Sequence, residues 1–176
     1  MESRKLSHSQ NFLKNHGFVA SLIGITNIDK GDFVVEVGPG KGIITEELSK
    51  KARKVIGIEY DKDLASNLKL KLSSYPNVEI IQGDFLTWDL PTESYKVFAN
   101  IPFNMTADIV NKLLNAPNPP ESTYLIMQDK AAERFIGGPV GSNSQASVLL
   151  QPFWDMDIVT KMDRRNFEPM PDVNAV

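Results

Sequence analysis

The chain has no cysteine, which excludes a disulfide framework, a thiolate zinc site and a cysteine nucleophile. Its two histidines are His8 and His16, too few for a histidine-rich metal site, and no metal is assigned. No uninterrupted apolar run approaches the roughly 20 residues that a membrane-spanning helix needs. The opening Met1-Glu-Ser-Arg-Lys5 lacks the apolar stretch of a secretory signal, so a cytoplasmic protein without a membrane partner is expected. Positive charge is not in excess either: 19 basic residues stand against 22 acidic ones, a net charge of -3. Spread evenly, that balance would speak against a nucleic-acid partner.

What is present is 176 residues of which 41% are hydrophobic and 23% charged, enough for one domain with a real core and too ordinary for disorder. The charge is uneven. Arg4, Lys5, Lys14 and Lys30 face only Glu2 and Asp29 at the start, and Lys161, Arg164 and Arg165 are bunched near the end. A polyanion would have to be held locally by such groups, each of which reads equally well as part of a solvated face.

From residue 31 onward, short β-branched runs alternate with longer amphipathic ones, the pattern of βαβ units around a parallel sheet. The predicted strands are Phe33–Val37, Val55–Glu59, Val78–Gln82, Tyr95–Ala99, Thr123–Gln128 and Asp157–Lys161. Helices are predicted over Lys41–Lys51, Asp61–Leu72, Thr106–Leu114, Lys130–Ile136 and Ser144–Gln151. Ahead of them, Phe12–Ile25 reads as an accessory amphipathic helix within an N-terminal segment, residues 1–30. Gly137–Asn143, Ala116–Pro120 and Phe167–Pro171 are loops by their glycine and proline content.

The sharpest local signal is Phe33-Val-Val-Glu-Val-Gly-Pro-Gly-Lys-Gly42, a buried strand running into three glycines and then a helix. Glycine lets a backbone approach a ligand closely, and a helix N-terminus presents amide groups; the bland alternative is a turn that needs glycine for geometry alone. Glu59 ends the second strand 21 residues beyond Gly38, where a carboxylate can accept from both hydroxyls of a ribose. The G-x-G-x-G spacing, Pro39 and the preceding Glu36 suit a cationic nucleoside ligand such as S-adenosylmethionine better than a dinucleotide pyrophosphate. The third strand closes with Gly83-Asp84-Phe85; Asp84 can accept from an adenine amine with Phe85 against the ring, or else simply cap a turn.

After the fourth strand comes Asn100-Ile-Pro-Phe103. The exocyclic amine of adenine is a weak nucleophile because its lone pair is delocalised into the ring. An asparagine side-chain oxygen and the Ile101 carbonyl, both accepting from that amine, would draw its nitrogen toward a tetrahedral geometry. Pro102 fixes the turn that aims the carbonyl, and Phe103 can stack on a base flipped out of its helix. Catalysis of this kind is positioning plus electrostatic stabilisation of an in-line displacement at a methyl carbon.

On these residues the chain resembles the rRNA adenine N6-dimethyltransferases, the family of the erythromycin-resistance (Erm) and KsgA-type enzymes. The resemblance covers nearly the whole chain. It rests on Ser9-Gln-Asn-Phe-Leu13, Glu36–Gly42, Glu59, Gly83-Asp84-Phe85, Asn100–Phe103 and Phe167-Glu-Pro-Met-Pro-Asp-Val173. It implies a Rossmann-like class I S-adenosylmethionine-dependent methyltransferase, an α/β fold with a mostly parallel central sheet flanked by helices, acting as a monomer. By the same resemblance, Asn11 and Leu13 close over the methionine end of the cofactor while Gly38 and Gly40 pack against it. Glu59 holds the ribose and Asp84 the adenine. Asn100 with the Ile101 carbonyl holds the target amine, and Phe103 and Phe167 stack on the extruded base.

Phe103 stands where tyrosine is usual in the family, which keeps stacking and removes a hydroxyl. Family members continue into a small helical domain that grips RNA, so residues 1–176 are expected to form a single catalytic domain cut at that boundary. Ile101 and the stretch Asp157–Phe167 resemble the Erm side, pointing to an adenine of 23S rRNA and to macrolide, lincosamide and streptogramin B resistance. The alternatives are KsgA-type methylation of 16S rRNA and a non-catalytic nucleic-acid-binding module. A nicotinamide-dependent oxidoreductase would share the glycine turn, but hydride transfer has no use for Asn100-Ile-Pro-Phe103.

Overall fold

The computed structural model describes residues 11–137 and 143–176. It begins with a two-residue strand, β1 (Phe12–Leu13), and helix α1 (His16–Gly24). Strands and helices then alternate: β2 (Phe33–Val37), α2 (Ile43–Lys51), β3 (Lys54–Glu59), α3 (Lys62–Lys71) and β4 (Val78–Gln82). Next come β5 (Lys96–Asn100), a short 3-10 turn at Phe103–Met105, α4 (Thr106–Leu114), β6 (Ser122–Ile126), α5 (Asp129–Ile136) and α6 (Gln145–Leu150). A second 3-10 turn at Arg164–Asn166 leads into β7 (Phe167–Glu168).

Five strands form one sheet in the order β4-β3-β2-β5-β6, every neighbour pair parallel. The chain works outward from β2 through β3 to β4 and then returns to place β5 on the other side of β2. That reversal opens a crevice above the carboxyl ends of β2 and β5, the place where sheets of this type bind ligands.

Both faces of the sheet are covered, which is why its strands read as nearly continuous apolar runs. Successive side chains of β2 point to opposite faces. Val34 joins Leu48, Val55 and Phe98 in the layer under α1 and α2, whereas Val35 and Val37 join Ile58, Val97 and Ile109 under α4. Full burial of each such side chain is worth about 1.5–3 kcal/mol. The helix ends follow local chemistry: Asp61 accepts from the backbone amides of Asp63 and Leu64 at the start of α3, and Lys69 and Lys71 lie in its last turn, where the helix dipole favours cations.

Three predicted elements differ. The accessory helix starts at His16 rather than Phe12, because the Asn15 side chain caps it by accepting from Phe18 N at 2.9 Å. Ahead of that cap, Phe12 and Leu13 extend and pair antiparallel with Glu168 and Phe167, so part of the predicted Phe167–Pro171 loop is strand β7. Asp157–Lys161 forms no strand; Val159 is exposed, and only Met162 makes an isolated bridge, to Ala175. Strand propensity there has no neighbouring strand to pack on. Arg4, Lys5, Ser9, Gln10 and the stretch 138–142 of the glycine-rich loop lie outside the described residues.

Candidate active site

The turn after β2 is held by backbone bonds at both ends: Gly38 N donates to the Ile58 carbonyl and Gly42 N to the Pro39 carbonyl, each at 2.9 Å. Gly38 (φ 67) and Gly40 (φ 58) both adopt the left-handed conformation that favours glycine. The two serve different purposes. A Cβ on Gly38 would meet nothing within 4 Å among the described residues, which leaves room there for a ligand's close approach. A Cβ on Gly40 would come within 2.5 Å of the Phe12 ring, so the missing side chain of Gly40 makes room for strand β1.

Glu59, at the end of β3, is almost wholly buried, and its two oxygens are shared between the turn and the next helix. One accepts from Gly40 N and the other from Asp61 N, both at 2.9 Å. Each carboxylate oxygen offers a second lone-pair direction. The carboxylate therefore fixes the glycine turn while keeping acceptor capacity for a ribose.

At the end of β4, Asp84 Oδ1 accepts from Leu86 N at 2.9 Å and the Asp84 carbonyl accepts from Trp88 N at 2.9 Å. This places the Asp84 carboxylate, half-buried, beside Glu59 along the same edge of the sheet. Asn100 ends β5. Its Nδ2 donates to the main-chain carbonyl of Asn11 at 2.7 Å. A carbonyl can only accept, so the amide orientation is settled by chemistry: the nitrogen turns toward Asn11, and Oδ1 is the end that can accept. Pro102 (φ -59, ψ 132) turns the chain directly after Ile101.

Asn100 thus stands, with a fixed side-chain amide, on the same edge of the sheet as the Glu59 and Asp84 carboxylates. The family model described as Ribosomal RNA adenine dimethylase matches residues 1–176. The chain belongs to this family. It is 36% identical to an rRNA adenine N-6-methyltransferase of Saccharopolyspora erythraea over 94% of its own length and 43% of that protein's. It is 34% identical to a ribosomal RNA small subunit methyltransferase A of Alkaliphilus oremlandii over 96% of its own length and 62% of that protein's. The crystal structure of the 23S rRNA methyltransferase ErmE superposes with a TM-score of 0.85 at 34% identity, covering 94% of this chain and 67% of that one. The chain thus spans between two-fifths and two-thirds of these two curated relatives, and the Rossmann-like methyltransferase fold is shown.

Within this dimethylase fold, Glu36 is the most unusual group. The alternation of β2 sends its side chain toward the α2 face, where it is 1% exposed and, among the described residues, neither carboxylate oxygen has a hydrogen-bond partner. Burial pushes its pKa up to about 8; the Glu59 carboxylate adds to the rise, and the nearby Thr45 hydroxyl offsets part of it. An orphaned buried carboxyl under an open glycine turn fits a ligand that carries positive charge. Among the described residues, no cluster of three His, Asp or Glu side chains is arranged to hold a metal ion, and no helix is long and apolar enough to cross a membrane.

Two of the rings expected to contact a base are buried in the structure. Phe85 is 4% exposed and lies in the core 6.5 Å from the Trp88 ring, so it forms the inner wall of the Asp84 turn rather than an open surface for adenine. Phe167 is 2% exposed, pairs with Leu13 across strands β7 and β1, and joins the same core cluster. Phe103, expected to stack with it on the extruded base, is half-exposed at the start of its 3-10 turn. Leu13, expected over the cofactor, is likewise a core residue, and Asn11 meets the site through its carbonyl. Ile101 contributes a buried side chain and donates its amide to the Ile126 carbonyl at 3.1 Å.

Sequence reasoning missed Phe12, which fills the space over Gly40. It also missed Tyr60, a 51% exposed aromatic immediately after Glu59. A large aromatic following the strand-ending Glu59 carboxylate was the available signal for Tyr60. For Phe12 there was none, since its contact depends on how distant segments pack.

Proposed function

We propose that this chain carries the transfer of a methyl group from S-adenosylmethionine to the N6 amine of an adenine in ribosomal RNA. The observation that carries the reading is the fixed amide of Asn100, whose Oδ1 is left to accept while its Nδ2 is held by Asn11. The cofactor, when bound, supplies an electrophilic methyl group on a sulfonium. Glu59 and Asp84 are the groups that would hold its ribose and adenine, Gly38 allows its close approach, and Glu36, protonated at pH 7 in the ligand-free chain, is a carboxyl whose ionised form its cationic end would favour.

On the target side, Asn100 Oδ1 and the Ile101 carbonyl both accept from the N6 amine. Two acceptors on one amine pull its hydrogens out of the ring plane and return lone-pair density to nitrogen at the point of attack. Because both acceptors belong to a turn fixed by Pro102 and by the Asn11 contact, they need no rearrangement during reaction, which is where electrostatic preorganisation acts. Phe103 gives the flipped base a face to stack on.

The preferred substrate is 23S rRNA, with drug resistance as its consequence. This choice is supported by Ile101, by the Erm-like stretch Asp157–Phe167, and by similarity to ErmE. Similarity to small-subunit methyltransferases supports 16S rRNA as the second reading. Incubation with tritiated cofactor and deproteinised 23S and 16S rRNA tests the choice. Label in 23S is expected; label in 16S alone overturns the subunit assignment, and cofactor binding with label in neither favours a binding module.

A further inference from the structure

The helix that follows the target-base turn reaches back to the cofactor side through one side chain. Lys112 lies on α4, which begins at Thr106 directly after the Phe103–Met105 turn. Its Nζ donates to the main-chain carbonyl of Leu86 at 3.1 Å and to that of Trp88. It also lies 5.1 Å from the centroid of the Phe85 ring. The turn after β4 is built from these same residues and closed from within by Asp84, which accepts from the Leu86 and Trp88 amides.

The internal bonds use the amides of Leu86 and Trp88, and the Lys112 ammonium takes their carbonyls. A lysine that merely covered apolar surface would keep its head in water. This one turns the head inward against two carbonyl dipoles and an aromatic face, an arrangement that desolvation opposes and the nearby Asp89 and Asp84 charges favour.

We propose that Lys112 is a positioning residue for cofactor binding: its ammonium locks the Asp84–Trp88 turn, so that the Asp84 carboxylate is held at the carboxyl edge of the sheet. The same contact ties that turn to the helix descending from Asn100–Phe103. The proposal rests on the assignment of Asp84 to the adenosine end of S-adenosylmethionine.

The test compares Lys112→Met, which keeps the stem and removes the donors, with Lys112→Arg, which keeps the charge. S-adenosylmethionine affinity is measured by calorimetry and KM against kcat with rRNA. The order of the turn is read as acrylamide quenching of Trp88 in a Trp154→Phe background. Lys112→Met is expected to raise Kd and KM for the cofactor about tenfold, the scale of one charge-assisted hydrogen bond, with a smaller effect on kcat and with easier quenching of Trp88. Lys112→Arg should recover most of both. If Lys112→Met leaves Kd and quenching unchanged while Asp84→Ala weakens binding, the clamp is wrong and the adenosine assignment stands. If neither variant changes Kd, the adenosine assignment itself fails and the proposal falls with it. A loss confined to kcat also overturns it.

Discussion

Replacing Glu36 by glutamine should stabilise the ligand-free protein, and by an amount that depends on pH. The Glu36 carboxyl is buried with no hydrogen-bond partner among the described residues, and burial raises its pKa from 4.5 to about 8. At pH 7 the folded chain therefore keeps a proton that the unfolded chain has shed. Each unit between the two pKa values costs about 1.4 kcal/mol, so at pH 7 the penalty is about 3 kcal/mol. The sign follows from proton binding: between pH 4.5 and about 8 the folded state holds more protons than the unfolded one, and stability falls as pH rises through that window. Below pH 4.5 both states are protonated and the penalty vanishes. Glu36→Gln removes the titration and keeps the shape. Urea denaturation of the two proteins at pH 5, 6, 7 and 8 should show little difference at pH 5 and a gap widening to about 3 kcal/mol at pH 7, roughly 10 °C in Tm for a domain of this size. A gap that stays constant across the four pH values would refute the reasoning. The same variant should bind S-adenosylmethionine more weakly, because the buried negative charge that a cation can call up is gone.

Three further outcomes follow from the geometry. Asn100→Ala should lower turnover at least a hundredfold, as removal of a preorganised polar contact to a reacting group does, with cofactor affinity in calorimetry little changed; equal loss of both would mean a structural role. Phe167→Ala should cost about 3–5 kcal/mol of stability in denaturant titration, since it empties a core position beside β1; a variant of normal stability that loses only RNA methylation would point to a stacking role instead. Gly40→Ala should displace Phe12, which a Cβ would meet at 2.5 Å, in a backbone conformation that alanine resists. A loss of about 2 kcal/mol or more is expected, and an unchanged Tm would show that β1 does not rest on the turn.

The sequence by itself determined the parallel sheet and the edge on which the candidate site lies. Strands Phe33–Val37 and Val78–Gln82 and helix Thr106–Leu114 have the predicted bounds, because periodicity reports which face of an element is buried. Gly38, Glu59, Asp84 and Asn100 were legible as one group because each stands at or just beyond the end of a parallel strand, and parallel strands in one sheet bring their carboxyl ends to one side. Contacts made at long range were decided only by tertiary structure. A two-residue strand has no period, so the pairing of Phe12–Leu13 with Phe167–Glu168 could not be read locally, and the hold of Asn11 on Asn100 follows from that pairing. Phe85 was expected against an adenine ring from its place at a strand end, and Phe167 on the extruded base through the family resemblance; in the structure both are core. Burial is a property of what packs against a residue, and packing partners from the far end of the chain leave no mark on the residues beside it.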